Sequence, residues 1–362
     1  MTVPLHFQPI AKKLAHAVET NRKLRNAFLL VHSASLGLHW ATAHGQTAGQ
    51  PVKAEQPFHT ASIGKTFTAV LIAMLAEEGK LDMRDPIAKY LPDALIEGLH
   101  VYKGKDYSRE IRIDHLLGHT SGLADFYEQK VDGKTFMQRL FDEPDRAWTP
   151  QETIEWTKRH MPPRFAPGKG CHYTDTGFNL LGLIIERVTG KPYHDVLHER
   201  IFDKVGMRRS YLLPFSEPRE RSPLPVASIV ALDREIRIEE LRSVTSFYAS
   251  GGTVSTAEDL LAFMKALVEG RLVSHETLAE MQRWRKLWIG VDYGFGLHRV
   301  RMLPFVRKFD VWGHLGSIGS FMLYNPTLDA YVIGTFNSVG FVGPSLRFAL
   351  GMLQRVARLK AA

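Results

Sequence analysis

The chain has one cysteine, Cys171, in 362 residues. A single thiol excludes an internal disulfide, so stability does not call for an oxidising compartment. Long apolar runs are missing too. The longest uncharged stretch, Ala27 to Val52, is broken by His, Gln, Ser, Thr and glycines, which suits a strand pair and not a bilayer span. No apolar segment follows the basic residues of Met1 to Val18, so no signal peptide is expected, and the expected location is cytoplasmic (periplasmic only if the start was trimmed). Repeats and low-complexity tracts are absent. Acid excess is absent as well: 46 Lys and Arg against 38 Asp and Glu give a net charge of +8. The basic residues are spread along the chain with acids among them and accompany no nucleic-acid motif. Nucleic acid is therefore not an expected partner, and attraction to anionic substrates is the milder reading.

What remains is an ordinary globular composition, 44% hydrophobic and 23% charged, in a chain long enough for one large or two modest domains. Residues 5–26 pattern as an amphipathic helix. Ala27 to Val31 and Leu36 to Ala43 read as strands. Residues 125–170, ending in Pro162-Pro163 and Pro167-Gly168, read as helices with long loops. Phe178 to Val188 is a buried helix, with Asp175 or Thr176 as its cap and Gly190 as its stop. Ser255-Thr256-Ala257-Glu258 is a capping box opening a helix that runs to Gly270. In the last third, Tyr293 to Met302, Lys308 to Trp312, Ser317 to Tyr324 and Ala330 to Asn337 are strand-like, and Pro344 to Lys360 is an amphipathic helix with Leu346, Leu350 and Leu353 on one face. Strands with helices at both ends and helices between predict an α/β (α+β) fold: an antiparallel sheet flanked by terminal helices, with an inserted, mainly helical region. The expected division is a discontinuous sheet domain, 1–60 with 245–362, and a helical domain, 61–244, carrying the nucleophile.

The stretch with chemistry is His59-Thr60-Ala61-Ser62-Ile63-Gly64-Lys65. From Ile63, apolar residues recur at Phe67, Val70, Leu71, Met74 and Leu75, the spacing of a helix with one buried face. Ser62 and Lys65 lie one turn apart on it, a hydroxyl beside an amine, where unpaired N–H groups and the helix dipole suit a developing oxyanion. Ser-x-x-Lys alone also fits a helix cap beside a solvated lysine. Two further pieces change the balance: Tyr173-Thr174-Asp175 before the buried helix, and His314-Leu315-Gly316-Ser317 at the mouth of a strand.

With these three in order the chain resembles the serine β-lactamase and penicillin-binding-protein superfamily, in the branch of class C β-lactamases, DD-peptidases and related esterases. The likeness runs from about Phe58 to Asn337 and includes His115 to Leu123, Asn179 to Gly182 and Gly251 to Leu260. It implies a β-lactamase/transpeptidase-like fold and an acyl-enzyme on Ser62, with Lys65 and Tyr173 as the proton-transfer pair. It implies an oxyanion hole from the N–H groups of Ser62 and Ser317, a contribution of roughly 2.7–4 kcal/mol per donor in a comparable hydrolase. It implies no metal or organic cofactor. Asp175, His314 and Gly316 would face the substrate, a small ester, amide or β-lactam, with His314 lining the pocket beside the tyrosine. Oligomeric state is left open.

Two departures from the family pattern direct the functional reading. Asp175 stands where the family usually has Asn; a carboxylate accepts but cannot donate, should pair with a charged Lys65, and favours a substrate with a free ammonium group. Capping the following helix is the alternative role for Asp175. His314 stands where penicillin-recognising enzymes generally have Lys, so the carboxylate holder is mostly lost at neutral pH. The histidine favours an esterase-like acyl hydrolase, with a β-lactamase or DD-peptidase/D-aminopeptidase as the same-fold alternative and a non-catalytic binding homologue, which Asp175 keeps open, as the other. Cys171 reads as a small buried filler, and His115, His119 and His172 as core or loop histidines and not metal ligands. Tyr127, Trp148, Trp156 and Phe165 could wall an acyl pocket or belong to the core.

Overall fold

The computed structural model describes residues 7–127, 129–301 and 307–361. Residues 5 and 6 of the expected first helix and Met302 of an expected strand lie outside them. The strands of the main sheet are β1 (Asn26–Ser33), β2 (Leu38–Thr47), β3 (Gln50–Pro51), β4 (Arg285–Trp288), β5 (Val291–Tyr293), β6 (His298–Val300), β7 (Val311–Leu315), β8 (Phe321–Asn325) and β9 (Ala330–Thr335). Their spatial order is β4-β5-β6-β7-β8-β9-β1-β2-β3, and every neighbouring pair is antiparallel. The first and last strands of the chain therefore pair at the centre, with Val31 opposite Val332.

The central strands are apolar without a break because the sheet is covered on both faces. Alternate residues serve different cores. Leu29, Val31, Leu323 and Val332 face helices α1 (Gln8–Thr20) and α5 (Val342–Ala361), through Ile10, Leu14, Met352 and Leu353. Phe28, Leu30, Met322 and Ile333 face the larger core, which contains α2 (Gly64–Glu77), α3 (Asp175–Thr189) and α4 (Ala257–Val268).

Helix α2 departs from expectation. It is buried on every side from Gly64 to Leu75, Lys65 and its threonines included, so it is a central core helix and not a one-faced one. Phe67 meets Phe202 and Phe263 edge to face, and the Thr68 hydroxyl lies 2.6 Å from both Tyr193 Oη and the Ala249 carbonyl. Burial of its polar face is what takes Lys65 out of water.

Four boundaries differ from the expected ones. The cap of α3 is Thr174, with Asp175 as the first helical residue, which frees the Asp175 carboxylate for another partner. The cap of α4 is Thr256, whose hydroxyl accepts from the Asp259 N–H, one residue beyond the expected Ser255–Glu258 box. The expected strand Tyr293 to Met302 is cut by Gly294-Phe295-Gly296; a Cβ at Gly296, where φ is +67°, would strike the Ala69 methyl 2.3 Å away on α2. Strand β8 starts only at Phe321, because residues 316–320 turn back over the nucleophile. The hairpin β4–β5 has no counterpart in the sequence reading. No described helix is long and apolar enough to cross a membrane.

Candidate active site

Ser62 occupies a 3-10 turn, Ala61–Ile63, that runs directly into α2. Ala61 has φ near +50°, a conformation costly for any residue with a Cβ, and this kink sets the serine at the start of the helix. Neighbours hold it there. The Thr60 N–H donates to the Thr253 carbonyl at 2.9 Å, and the Ser320 hydroxyl donates to the Thr60 carbonyl at 2.8 Å. Gly316 lets the 316–320 turn lie against this segment; a Cβ there would come within 2.0 Å of Ser320 Oγ, 2.9 Å of the Thr60 carbonyl and 3.0 Å of the Ala61 methyl.

Lys65 is fully buried. Its Nζ donates to Ser62 Oγ at 3.2 Å, to the Ser250 carbonyl at 2.7 Å and to Asp175 Oδ1. The three donors of an ammonium group thus have three acceptors, one of them a carboxylate, which is what a buried cation requires. The Lys65 Nζ also lies 4.8 Å from the centre of the Tyr173 ring. Asp175 therefore pairs with Lys65 and does not cap its own helix. Its N–H donates to Asp125 Oδ1 at 3.1 Å, and Thr174 and Thr176 donate to the Ala124 carbonyl at 3.0 and 2.9 Å, so the loop before Tyr127 clamps the start of α3.

Tyr173 is bordered by His119, Tyr293, His298 and His314 at centroid distances of 4.3, 5.8, 6.1 and 6.5 Å. The three imidazoles are kept neutral. Burial, with Lys65 adding to it, pushes His298 down to about 3 and holds His119 and His314 well below the ordinary imidazole value. His314 Nδ1 lies 2.8 Å from the Leu315 carbonyl, so that nitrogen carries the proton and Nε2 accepts from the Tyr293 hydroxyl at 3.0 Å. Burial raises the Tyr293 phenol well above its usual value, which keeps it a donor.

The expectation that His314 lines the pocket is corrected by its burial. It has no exposed surface and stands one layer behind, bonded to Tyr293, while the wall beside Tyr173 is His298. Trp288 was missed because β4 is too short to register as a strand, and His298 because the expected strand from Tyr293 contained it without marking the face it presents. Gly316 and Ser317 line the site.

Two pockets meet at Ser62. One is a narrow, mostly apolar cleft of about 600 Å³ including its mouth, walled by Tyr127, Leu140, Phe141, Ile238, Val244 and Phe247, with His59, Asp175 and three serines as its polar members. The second, about 500 Å³ on the same measure, is more open and lies towards Trp288 and Gly316. Ser317 borders both. Of the aromatic candidates, Tyr127 walls the cleft, while Trp148 and Trp156 pack with Phe126 and Phe136 in a separate small core. Phe165 offers its carbonyl to His100. Cys171 is half-buried, with its thiol raised to about 11 by burial, so it is no nucleophile at neutral pH. Among the described residues no group of three or more His, Cys, Asp or Glu side chains is placed to hold a metal ion.

A serine bonded to a buried lysine at the start of a core helix, beside a tyrosine and facing the end of a sheet strand, is the arrangement of serine acyl hydrolases with a β-lactamase-like fold. The chain belongs to the Beta-lactamase family, whose model it matches over residues 27–350, in the class C-like branch that includes DD-carboxypeptidases, esterases and D-amino acid amidases. It is similar to a D-stereospecific amidohydrolase from Streptomyces sp. (26% identity, TM-score 0.78, covering 93% of this chain and 95% of that one). It is similar to the D-amino acid amidase from Ochrobactrum anthropi SV3 complexed with L-phenylalanine amide (25% identity, TM-score 0.77, covering 98% and 99%). Esterase EstB of Burkholderia gladioli is 26% identical over 275 residues, covering 69% of this chain and 68% of the esterase.

Proposed function

We propose that the protein hydrolyses small carboxylic esters and amides through an acyl-enzyme on Ser62, with esterase-like preference and an apolar acyl group in the Tyr127–Phe247 cleft. The observation that carries this is the 3.2 Å contact from the fully buried Lys65 to Ser62 Oγ at the point where the two pockets join. Ser62 Oγ adds to the substrate carbonyl carbon as its proton passes into the Lys65–Tyr173 pair. Lys65 is paired with Asp175, so the proposed acceptor of the serine proton is Tyr173 in its phenolate form, whose negative charge the Lys65 amine group 4.8 Å from the ring centre offsets until the proton arrives. The N–H groups of Ser62 and Ser317 hold the oxyanion. Collapse expels the alcohol or amine with the proton, and water then repeats the sequence to release the acid.

Asp175 favours a second reading, an amidase or esterase for substrates bearing a free ammonium group next to the scissile carbonyl. Its carboxylate borders the acyl cleft and keeps 15% of its side-chain surface exposed there. The amidase likenesses support this reading.

Burst assays on wild type and Ser62→Ala, with p-nitrophenyl butyrate, D-phenylalanine amide and nitrocefin side by side, separate these. A Ser62-dependent burst with the ester and little nitrocefin turnover supports the first reading. Faster turnover of the amino acid amide than of the uncharged ester moves the assignment to the second. Strong nitrocefin turnover makes the protein a β-lactamase, and no Ser62-dependent acylation by a folded sample withdraws the proposal.

A further inference from the structure

The second pocket at Ser62 extends beyond the groups that explain acylation and is built from a distinctive set of side chains. Trp288, His298, Tyr173, Leu315, Val342 and Gly316 surround it, with Ser62 and Ser317 at its inner end. Three of these present rings in a row. Tyr173 and His298 are nearly parallel, 17° apart with centroids 6.1 Å apart, and Trp288 continues the row 5.9 Å beyond His298. The His298 imidazole is only 2% exposed with both nitrogens shut away from solvent, so it presents ring carbon and no charge. Trp288 sits at the end of strand β4 and is 47% exposed, so its ring is available at the pocket's outer edge.

Among the described residues no lysine or arginine lines this pocket. Arg299 and Arg301, on and just after β6, both pair with Asp292, and Arg285 and Lys286 of β4 are not among the residues that line the pocket. His314, the residue standing in place of the family's lysine, is buried behind Tyr293. A carboxylate placed here would lose its water and gain no cation, which is unfavourable. A flat apolar group would gain ring contacts on offset or edge geometry.

A tetrahedral carbon on Ser62 Oγ must send its acyl chain and its leaving group in different directions. The enclosed cleft bordered by Asp175 suits the part that stays attached, and the more open pocket suits the part that departs. Resting on the acyl-enzyme reading above, we propose that this second pocket is the leaving-group site and that it selects uncharged, ring-bearing alcohols or amines, with Trp288 and His298 as the residues that set the preference.

Esters of one acid and alcohols of similar basicity isolate the effect: ethyl, benzyl and 4-carboxybenzyl butyrate. Because the acyl group is shared, hydrolysis of the butyryl-enzyme is common to all three, and differences in kcat/KM report the leaving-group side alone. Benzyl butyrate is expected to exceed ethyl butyrate by about tenfold, and 4-carboxybenzyl butyrate to fall about tenfold below benzyl. Trp288→Ala should shrink the benzyl-to-ethyl ratio by about three- to tenfold; the residue is half out of the protein on an edge hairpin, so the variant retains its core. Ser62-dependent turnover with equal kcat/KM for the three esters, or an unchanged ratio in Trp288→Ala, overturns the leaving-group site while the acyl-enzyme stands. Absence of Ser62-dependent turnover with any ester overturns both.

Discussion

Replacing Asp175 tests the ion pair that distinguishes this site from the asparagine-bearing members of its family. Lys65 has no exposed surface, and its ammonium is held by Asp175, the Ser250 carbonyl and Ser62 Oγ. Asp175→Ala removes the only anion among those partners. Breaking a buried pair in this way costs about 3–5 kcal/mol. Asp175→Asn keeps an acceptor but loses the charge, the difference between a charge-assisted and a neutral hydrogen bond, or about 1–2 kcal/mol. For a chain of 362 residues the unfolding entropy is near 0.76 kcal/mol/K, so the alanine variant should melt about 4–7 °C lower and the asparagine variant about 1–3 °C lower. Thermal unfolding by circular dichroism at pH 7 measures both. In parallel, Asp175→Asn should keep ester turnover within a few-fold and raise turnover of nitrocefin or amides, since an amide can donate to an acyl-side carbonyl where a carboxylate cannot. An alanine variant as stable as wild type would refute the buried charged pair. Loss of all activity in Asp175→Asn, with the fold intact, would show that the carboxylate itself is required for turnover.

Other consequences are as specific. Gly316→Ala places a methyl within 3.0 Å of the Thr60 carbonyl and the Ala61 methyl and closer still to Ser320, so it should displace the nucleophile and lower kcat by about a hundredfold or more, read with p-nitrophenyl butyrate. His59 and His298 are buried neutral, with values lowered to about 4 and about 3, so their stabilisation is complete above the unfolded value near 6.5 and is lost as pH falls from there towards 4 and 3. Each should remove about 2 kcal/mol by pH 5, and denaturant titrations at pH 7, 6 and 5 should show the midpoint falling; a flat profile contradicts it. His314→Lys would put a second buried cation near Lys65 and unpair Tyr293, so it should destabilise the protein by about 3 kcal/mol or more without raising nitrocefin turnover, measured on the same sample.

The nucleophile, its lysine and the tyrosine were legible because the chemistry fixes residue types at fixed spacing, and because three such pieces occur in order. The sheet was legible where its strands are long. Strands β8 and β9 each give an unbroken apolar run because both faces are covered. The sequence was silent where order is short-ranged. Strand β4 is four residues long and Trp288 went unseen with it; His298 fell inside the expected strand from Tyr293, but the three residues of β6 do not tell which side chain reaches the second pocket. The environment of α2 was hidden for a different reason: Lys65, Thr66 and Thr68 look like a solvated face, and only the helices packed on them show otherwise. The depth of His314 follows from the Tyr293 hydroxyl, a partner 21 residues away. Spacing could place Asp175 at its helix start, but whether it capped that helix or reached Lys65, 110 positions earlier, was a tertiary matter.

The central claim is a covalent intermediate on Ser62. Mass spectrometry of the intact protein and its peptides, after acid quench within the first turnover of p-nitrophenyl butyrate, tests it most directly. The account predicts a mass increase of one butyryl group, confined to the peptide containing Ser62 and absent from Ser62→Ala. A folded, active wild type with no adduct, or an adduct that persists in Ser62→Ala, would contradict it.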